Sequence, residues 1–398
     1  MNRYYVIFFL WIFSIQYFMA QESDVKHIIR EIQNKYAPDR RVEVFQIDIH
    51  QKGDTSIVKG VTTSKDAYDE LIRTLKVNYP AIIDSIRLLP DVELGEKTEG
   101  IVYNSVGTIR YAPRYNSEMI TQTLLGVKVK ILEEYNGWRR IQTPDKYIGW
   151  INGSVRPLSK AEILSYNEQR KIIVISVYTT SYEMPDETSN PVSDLVIGNI
   201  LALQSENEKF YEVVYPDGRI AFILKSDALT HEDWFKNIDL SGESVTKSAL
   251  QFKGIPYLWG GTSSKGLDCS GFTKIVYNMH DINLPRDASQ QVNKGLLIDS
   301  NGDFGKLKPG DLIFFGTKGP KATNEQGNSE SNKSNDERVV HVGIYLGDNH
   351  YIHASDNVRI NSLNPSDALY DKFNADRYLR SKRYIENNKP INVDIISK

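Results

Sequence analysis

Cys269 is the only cysteine among 398 residues, and it ends a glycine-rich stretch, YLWGGTSSKGLDC, residues 257–269. Beyond it, Phe272, Ile275, Val276 and Met279 recur at helical spacing, which predicts a helix with Cys269 in its first turn. A thiol attacks as thiolate, and a helix N-terminus and a nearby imidazole both favour that form. Gly260, Gly261 and Gly271 would let a substrate backbone come close. A lone cysteine is equally at home as buried filler, so the base must be found as well. Of seven histidines, His27 and His50 belong to an N-terminal segment, His231 to a linker, and His280 to a helix end. His341 and His353 lie on adjacent predicted strands. In VVHVGIYLG, Val340, Val342, Ile344 and Leu346 share one face, and His341, Gly343 and Tyr345 share the other. In HYIHAS, His350 and His353 have opposite parity, and His350 follows the LGDN turn, which leaves His353 to orient the ring of His341.

Four units must position these residues. Residues 1–20 combine Arg3, an apolar run from Tyr4 to Phe18 and a small Ala20, the pattern of a secretory signal peptide, with no stable membrane anchor expected. Residues 21–95 mix helical spacing (Val25, Ile28, Ile29, Ile32) with alternating stretches and read as a small α+β unit without chemistry of its own, a spacer or docking module. Residues 96–160 and 161–237 are runs of short strands with turns at Asn136-Gly137 and Asp217-Gly218, two small barrels joined by a helix that Ser159 would cap. Residues 238–390 carry the cysteine and both histidines, interrupted at 317–337 by a polar stretch that reads as a disordered surface loop. A single cysteine excludes a disulfide framework and a cysteine-rich zinc site, and HExxH, GxSxG and phosphate-binding glycine loops are absent. A net charge of −3 gives no nucleic-acid footprint.

The blocks YLWGGTSSKGLDCSGF, LPRDASQQ, LKPGDLIFFG and HVGIYLGDNHYIHAS occur in the order found in the NlpC/P60 cysteine peptidases, which residues 240–385 resemble. The two strand-rich units resemble bacterial SH3-like domains, the first more closely than the second. The resemblance implies an α+β, papain-like catalytic domain preceded by two small SH3-like barrels. It implies Cys269 as nucleophile, His341 as general base and His353 as orienting residue, with no metal or organic cofactor. The whole layout is similar to the γ-D-glutamyl-L-diamino acid endopeptidases of the dipeptidyl-peptidase VI type. These cleave peptidoglycan stem peptides with a free N-terminal L-Ala, here as a monomer in the periplasm or outside the cell. That subgroup's pattern implies substrate contacts from Asp268, Ser270 and a serine of PRDAS, taken as Ser289 although Ala288 precedes it. It also implies Glu118 and Tyr147 from the first barrel, with Asp268 and Glu118 together holding the substrate ammonium, and Tyr147 bonding substrate or oxyanion. Two other readings fit the sequence: a broad endopeptidase acting on intact wall, and a non-catalytic wall-binding protein.

Overall fold

The computed structural model describes residues 22–52, 55–318 and 337–396. Residues 1–20, read as an export signal, and nearly all of the polar insertion lie outside the described residues. No helix among those described is long and apolar enough to cross a membrane.

The N-terminal unit packs the helix of residues 22–36 and the helix Lys65–Asn78 on a three-stranded sheet. Ser64 caps the second helix by accepting from Ala67 N. Strands Phe45–Lys52 and Thr55–Thr62 form an antiparallel hairpin, and Ile83–Leu88 returns parallel to the second of them. Three of the four residues read as an apolar stripe, Val25, Ile29 and Ile32, are buried against Val58, Leu71 and Leu75, with Ile28 partly covered.

Two seven-stranded barrels follow. In the first the strands run from Glu99 to Leu158, in the second from Lys171 to Thr230. Numbered within each barrel, the pairing order is 7-1-4-5-6-2-3 in both. The second barrel therefore repeats the topology of the first, although its sequence signal is weaker. The Asn136-Gly137 turn takes positive φ at both residues (49° and 78°), as a two-residue hairpin joining right-twisted strands requires. The connecting helix Lys160–Glu168 opens on a capping box between Ser159 and Glu162.

The last unit is a six-stranded antiparallel sheet with the helix Cys269–Asn278 against it. The helix spacing has the expected consequence. Phe272, Ile275 and Val276 are buried with Phe314, Val342, Ile344 and Ile352 in one core. That core does not stop at the unit's edge, because Leu124 of the first barrel and Val196 and Ile197 of the second are part of it. Gly198 marks the junction: a Cβ there would lie 3.0 Å from a methyl of Leu124 and 3.6 Å from one of Ile275.

Polar contacts fasten the units as well. Gln122 of the first barrel accepts from Thr262 N (3.0 Å) and Ser263 Oγ (2.9 Å) through its amide oxygen, and from Thr262 Oγ1 through its backbone carbonyl (3.1 Å). Lys265 pairs with Asp194 of the second barrel at 2.6 Å and donates to Ser105 of the first at 2.9 Å. The N-terminal unit is held by Ile148 N donating to Arg41 O (2.7 Å) and Gln142 Nε2 to Val42 O (3.0 Å).

Candidate active site

Cys269 opens its helix, and Asp268 caps it, accepting from Gly271 N at 2.7 Å. Gly271 is required there, since a Cβ would sit 2.0 Å from the carbonyl oxygen of Gly261. His341 lies on strand Arg338–Gly347 and His353 on His350–Ala354. The two strands pair through Ile344 opposite Ile352, which sets His353 across from the Gly343 region. A Cβ on Gly343 would lie 2.9 Å from Tyr351 Cδ2 and 3.1 Å from His353 Cβ, so the glycine lets the two strands and these side chains pack closely. His341 Nε2 and His353 Nδ1 are 2.7 Å apart. The backbone N–H of Val342, next to His341, faces the Cys269 sulfur and favours its anion. Cys269 and His341 line one cleft of about 730 Å³. His350 turns away to pair with Asp367 at 2.9 Å.

The relay continues beyond the two histidines. His353 Nε2 meets Asn361 Oδ1 at 2.9 Å, and Asn361 Nδ2 donates to Leu369 O at 3.1 Å. The second bond fixes which end of the amide faces the ring. Burial keeps both imidazoles below their usual pKa, His341 well below, so both are neutral at pH 7. With an oxygen acceptor at its Nε2, neutral His353 carries its proton there and its Nδ1 accepts. His341 therefore donates from Nε2, which leaves its Nδ1 lone pair as the base.

The thiol departs from expectation. Burial, followed by the charge of Asp268, pushes Cys269 up to about 12 against weaker help from the Val342 N–H and Arg286. The helix N-terminus is already occupied by the Asp268 carboxylate, so the dipole does not act on sulfur unopposed. The resting pair is thiol and neutral imidazole.

Asp268 and Ser270 also line the cleft, and both are hydrogen-bonded within it. Asp268 Oδ1 accepts from Gly271 N, Ser270 Oγ (3.2 Å) and Arg286 Nη1 (3.1 Å), and Oδ2 from Gly260 N (3.0 Å) and Arg286 Nη2. Ser270 Oγ also accepts from Arg286 Nη1 at 3.0 Å. Both residues are largely buried, and they line the same cleft as Glu118. Arg286 also reaches across units, donating from Nε to Thr121 Oγ1 of the first barrel at 2.9 Å.

Glu118 and Tyr147 do reach the cleft from the first barrel. Glu118 Oε1 accepts from Trp259 Nε1 at 2.7 Å. Tyr147 donates to Asp287 Oδ2 at 3.1 Å. Ser289 also lines the cleft, its Oγ accepting from Arg41 at 2.8 Å. Tyr257 stands beside Cys269 in the same cleft, and its hydroxyl makes no hydrogen bond among the described residues.

Residues 254–378 match the model of the NlpC/P60 family, and residues 109–154 match that of the bacterial dipeptidyl-peptidase Sh3 domain. A Haemophilus influenzae protein named "Probable endopeptidase" is 34% identical over 143 residues, which cover 34% of this chain and 76% of that protein. The chain belongs to the NlpC/P60 family. A Bacillus cereus protein named gamma-D-glutamyl-L-lysine dipeptidyl-peptidase is 28% identical over 274 residues, 66% of this chain and 76% of its own. The crystal structure of an NlpC/P60 family protein from Bacillus cereus superposes with a TM-score of 0.59 at 24% identity, covering 72% of this chain and all of that one. The fold is the α+β, papain-like NlpC/P60 domain preceded by β-barrels.

Several cleft and relay residues carry no local signal in the sequence. Asp287 was visible only as a member of PRDAS, Asn361 lies eight residues beyond His353 with no motif around it, and Tyr257 opens the glycine-rich stretch like any core aromatic. Arg41 comes from the unit read as a spacer.

Proposed function

We propose that this chain is a cysteine peptidase that cleaves the γ-D-glutamyl-diamino acid bond of peptidoglycan stem peptides carrying a free N-terminal L-Ala. The observation that carries the proposal is one cleft lined by both Cys269 and a tautomer-defined His341, with the carboxylates Glu118, Asp268, Asp287 and Glu337 also on its wall. Sulfur and base suit acyl transfer, and the carboxylates suit a substrate ammonium. Because Glu118 and Tyr147 come from the first barrel and Arg41 from the N-terminal unit, the non-catalytic units help wall the cleft, which favours a short peptide over intact wall.

The steps follow from the protonation states. His341 Nδ1 takes the thiol proton as Cys269 attacks the γ-carbonyl of D-Glu, because a thiol pushed up to about 12 does not ionise in advance. The resulting oxyanion is met by the Cys269 backbone N–H at the helix start and by the unengaged Tyr257 hydroxyl. His341 then protonates the leaving amine, and water, deprotonated by His341, hydrolyses the thioester and frees the dipeptide. Residues 1–20, read as an export signal, would deliver the enzyme to the compartment where such peptides arise.

The test is release of L-Ala-γ-D-Glu from the tripeptide L-Ala-γ-D-Glu-L-Lys or its diaminopimelate counterpart, followed by mass spectrometry. Native protein should release it and Cys269→Ala should not. Unchanged release by Cys269→Ala would overturn the mechanism, and no release by native protein would overturn the substrate.

A further inference from the structure

Lys274 lies five residues beyond Cys269 on the same helix, about 7.5 Å along its axis. Its side chain is largely buried at the joint with the first barrel. There its ammonium meets three acceptors, Asp145 Oδ2 of that barrel at 3.1 Å, Asn283 Oδ1 at 3.0 Å and the backbone carbonyl of Leu284 at 2.6 Å. An ammonium has three donors, so all are committed. Neither Lys274 nor Asp145 lines the catalytic cleft; both border a separate cavity of about 140 Å³.

Two of those acceptors lead into the cleft wall. Asp145 stands two residues before Tyr147 in a tightly bonded turn. Thr143 N donates to Tyr147 O at 3.0 Å and Lys146 N to Thr143 O at 2.8 Å, while Asp145 accepts from Thr143 Oγ1 and faces the Tyr147 N–H. Leu284 stands three residues before Asp287, and Arg286 between them is pinned to Asp268. Tyr147 and Asp287 then meet at 3.1 Å on the wall of the cleft. The path is a closed ring: Lys274, Asp145, Tyr147, Asp287, Leu284 and back to Lys274. One ammonium therefore anchors both partners of the Tyr147–Asp287 bond, and the helix ties that ammonium to the sulfur.

We propose that Lys274 is a positioning residue, which sets the Tyr147–Asp287 pair at a fixed distance from Cys269 and so keeps the first-barrel wall in register with the bond to be cut. This rests on the reading of Tyr147 as a substrate contact. Because the pair meets substrate away from the reacting atoms, its misplacement weakens binding and spares the nucleophile.

The experiment uses the full chain. Removing one charge alone would leave the other buried and unpaired, so the main variant is Lys274→Met/Asp145→Asn. Asp145→Asn keeps an oxygen for the Tyr147 N–H, so the turn retains its own bond and the tie to the helix is what is lost. With L-Ala-γ-D-Glu-L-Lys, this variant should raise KM about fivefold or more, with kcat within about twofold of native. Alkylation of Cys269 by iodoacetamide should keep its native rate. Tyr147→Phe should raise KM by itself, and adding the two changes to it should shift KM by less than about twofold, because their effect passes through the Tyr147 hydroxyl. A native KM in the main variant overturns the proposal. So does an undiminished rise in the Tyr147→Phe background, which would make Lys274 purely structural. Should the main variant not fold, Asp145→Asn alone decides: a raised KM with native kcat supports the proposal and a native KM overturns it. Either failure in an enzyme that still releases the dipeptide removes the role of Lys274 alone. Native protein that releases no dipeptide removes the functional reading and this proposal with it.

Discussion

Replacing Asn361 with leucine tests whether the relay sets the chemistry. The substitution keeps the volume but removes the acceptor at 2.9 Å from His353 Nε2. A buried N–H left without a partner costs about 1–3 kcal/mol. His353 is fully buried and can escape that cost by moving its proton to Nδ1. Its Nδ1–H would then donate to His341 Nε2, and His341 would carry its own proton on Nδ1, where the thiol needs a lone pair. A penalty of that size shifts the tautomer balance by roughly 5- to 150-fold. Turnover of the stem tripeptide by Asn361→Leu should drop within that range while KM stays native, since Asn361 is not part of the cleft wall. Asn361→Asp retains an acceptor and should keep most of the turnover. Steady-state kinetics on the three proteins, with nitrogen NMR of the imidazoles, reads both effects. Native turnover in Asn361→Leu would refute the relay, and equal losses in the leucine and aspartate variants would refute the tautomer explanation.

Three further outcomes are expected. Asp268→Asn leaves the guanidinium of Arg286 buried without its counter-charge and should cost about 3–5 kcal/mol in urea unfolding, with Asp268→Asn/Arg286→Met losing less than the sum of the single changes. His280, His341 and His353 all have pKa values lowered by burial, so the unfolded chain binds more protons below about 6.5; their contribution to stability is complete above that pH and is lost as pH falls toward the folded values, which acid titration of the melting temperature reads directly. Gly271→Ala drives a methyl into the Gly261 carbonyl, and should lower both the melting temperature and the alkylation rate of Cys269.

The elements that position the site were legible because their signals are local. The apolar spacing after Cys269 names the helix, and parity from Val342 to Leu346 names the core face. Parity fails at Val340, which is exposed and lines the cleft beside His341 where the strand pairing shifts register. The contacts that decide chemistry are long-range, and no window of sequence contains them. Asp268 is braced by Arg286, eighteen residues on, which no local pattern announces. Arg41 and Asp287 are 246 residues apart. The raised thiol follows from burial and from an acid at the helix start, and only the burial needs the whole fold to be seen. The second barrel was harder to read than the first, yet the two share one strand order, since topology tolerates changes that blur a sequence pattern.

The core that Ile275 shares with Leu124 and Ile197 bears on how this polypeptide can be cut or recombined. A fragment beginning after residue 237 would turn greasy surface outward along the helix that carries the sulfur, and Thr262 and Ser263 would lose the glutamine that anchors them. The barrels are thus walls of the same room as the nucleophile, and transplanting the catalytic portion onto a foreign partner would demand rebuilding that shared wall first.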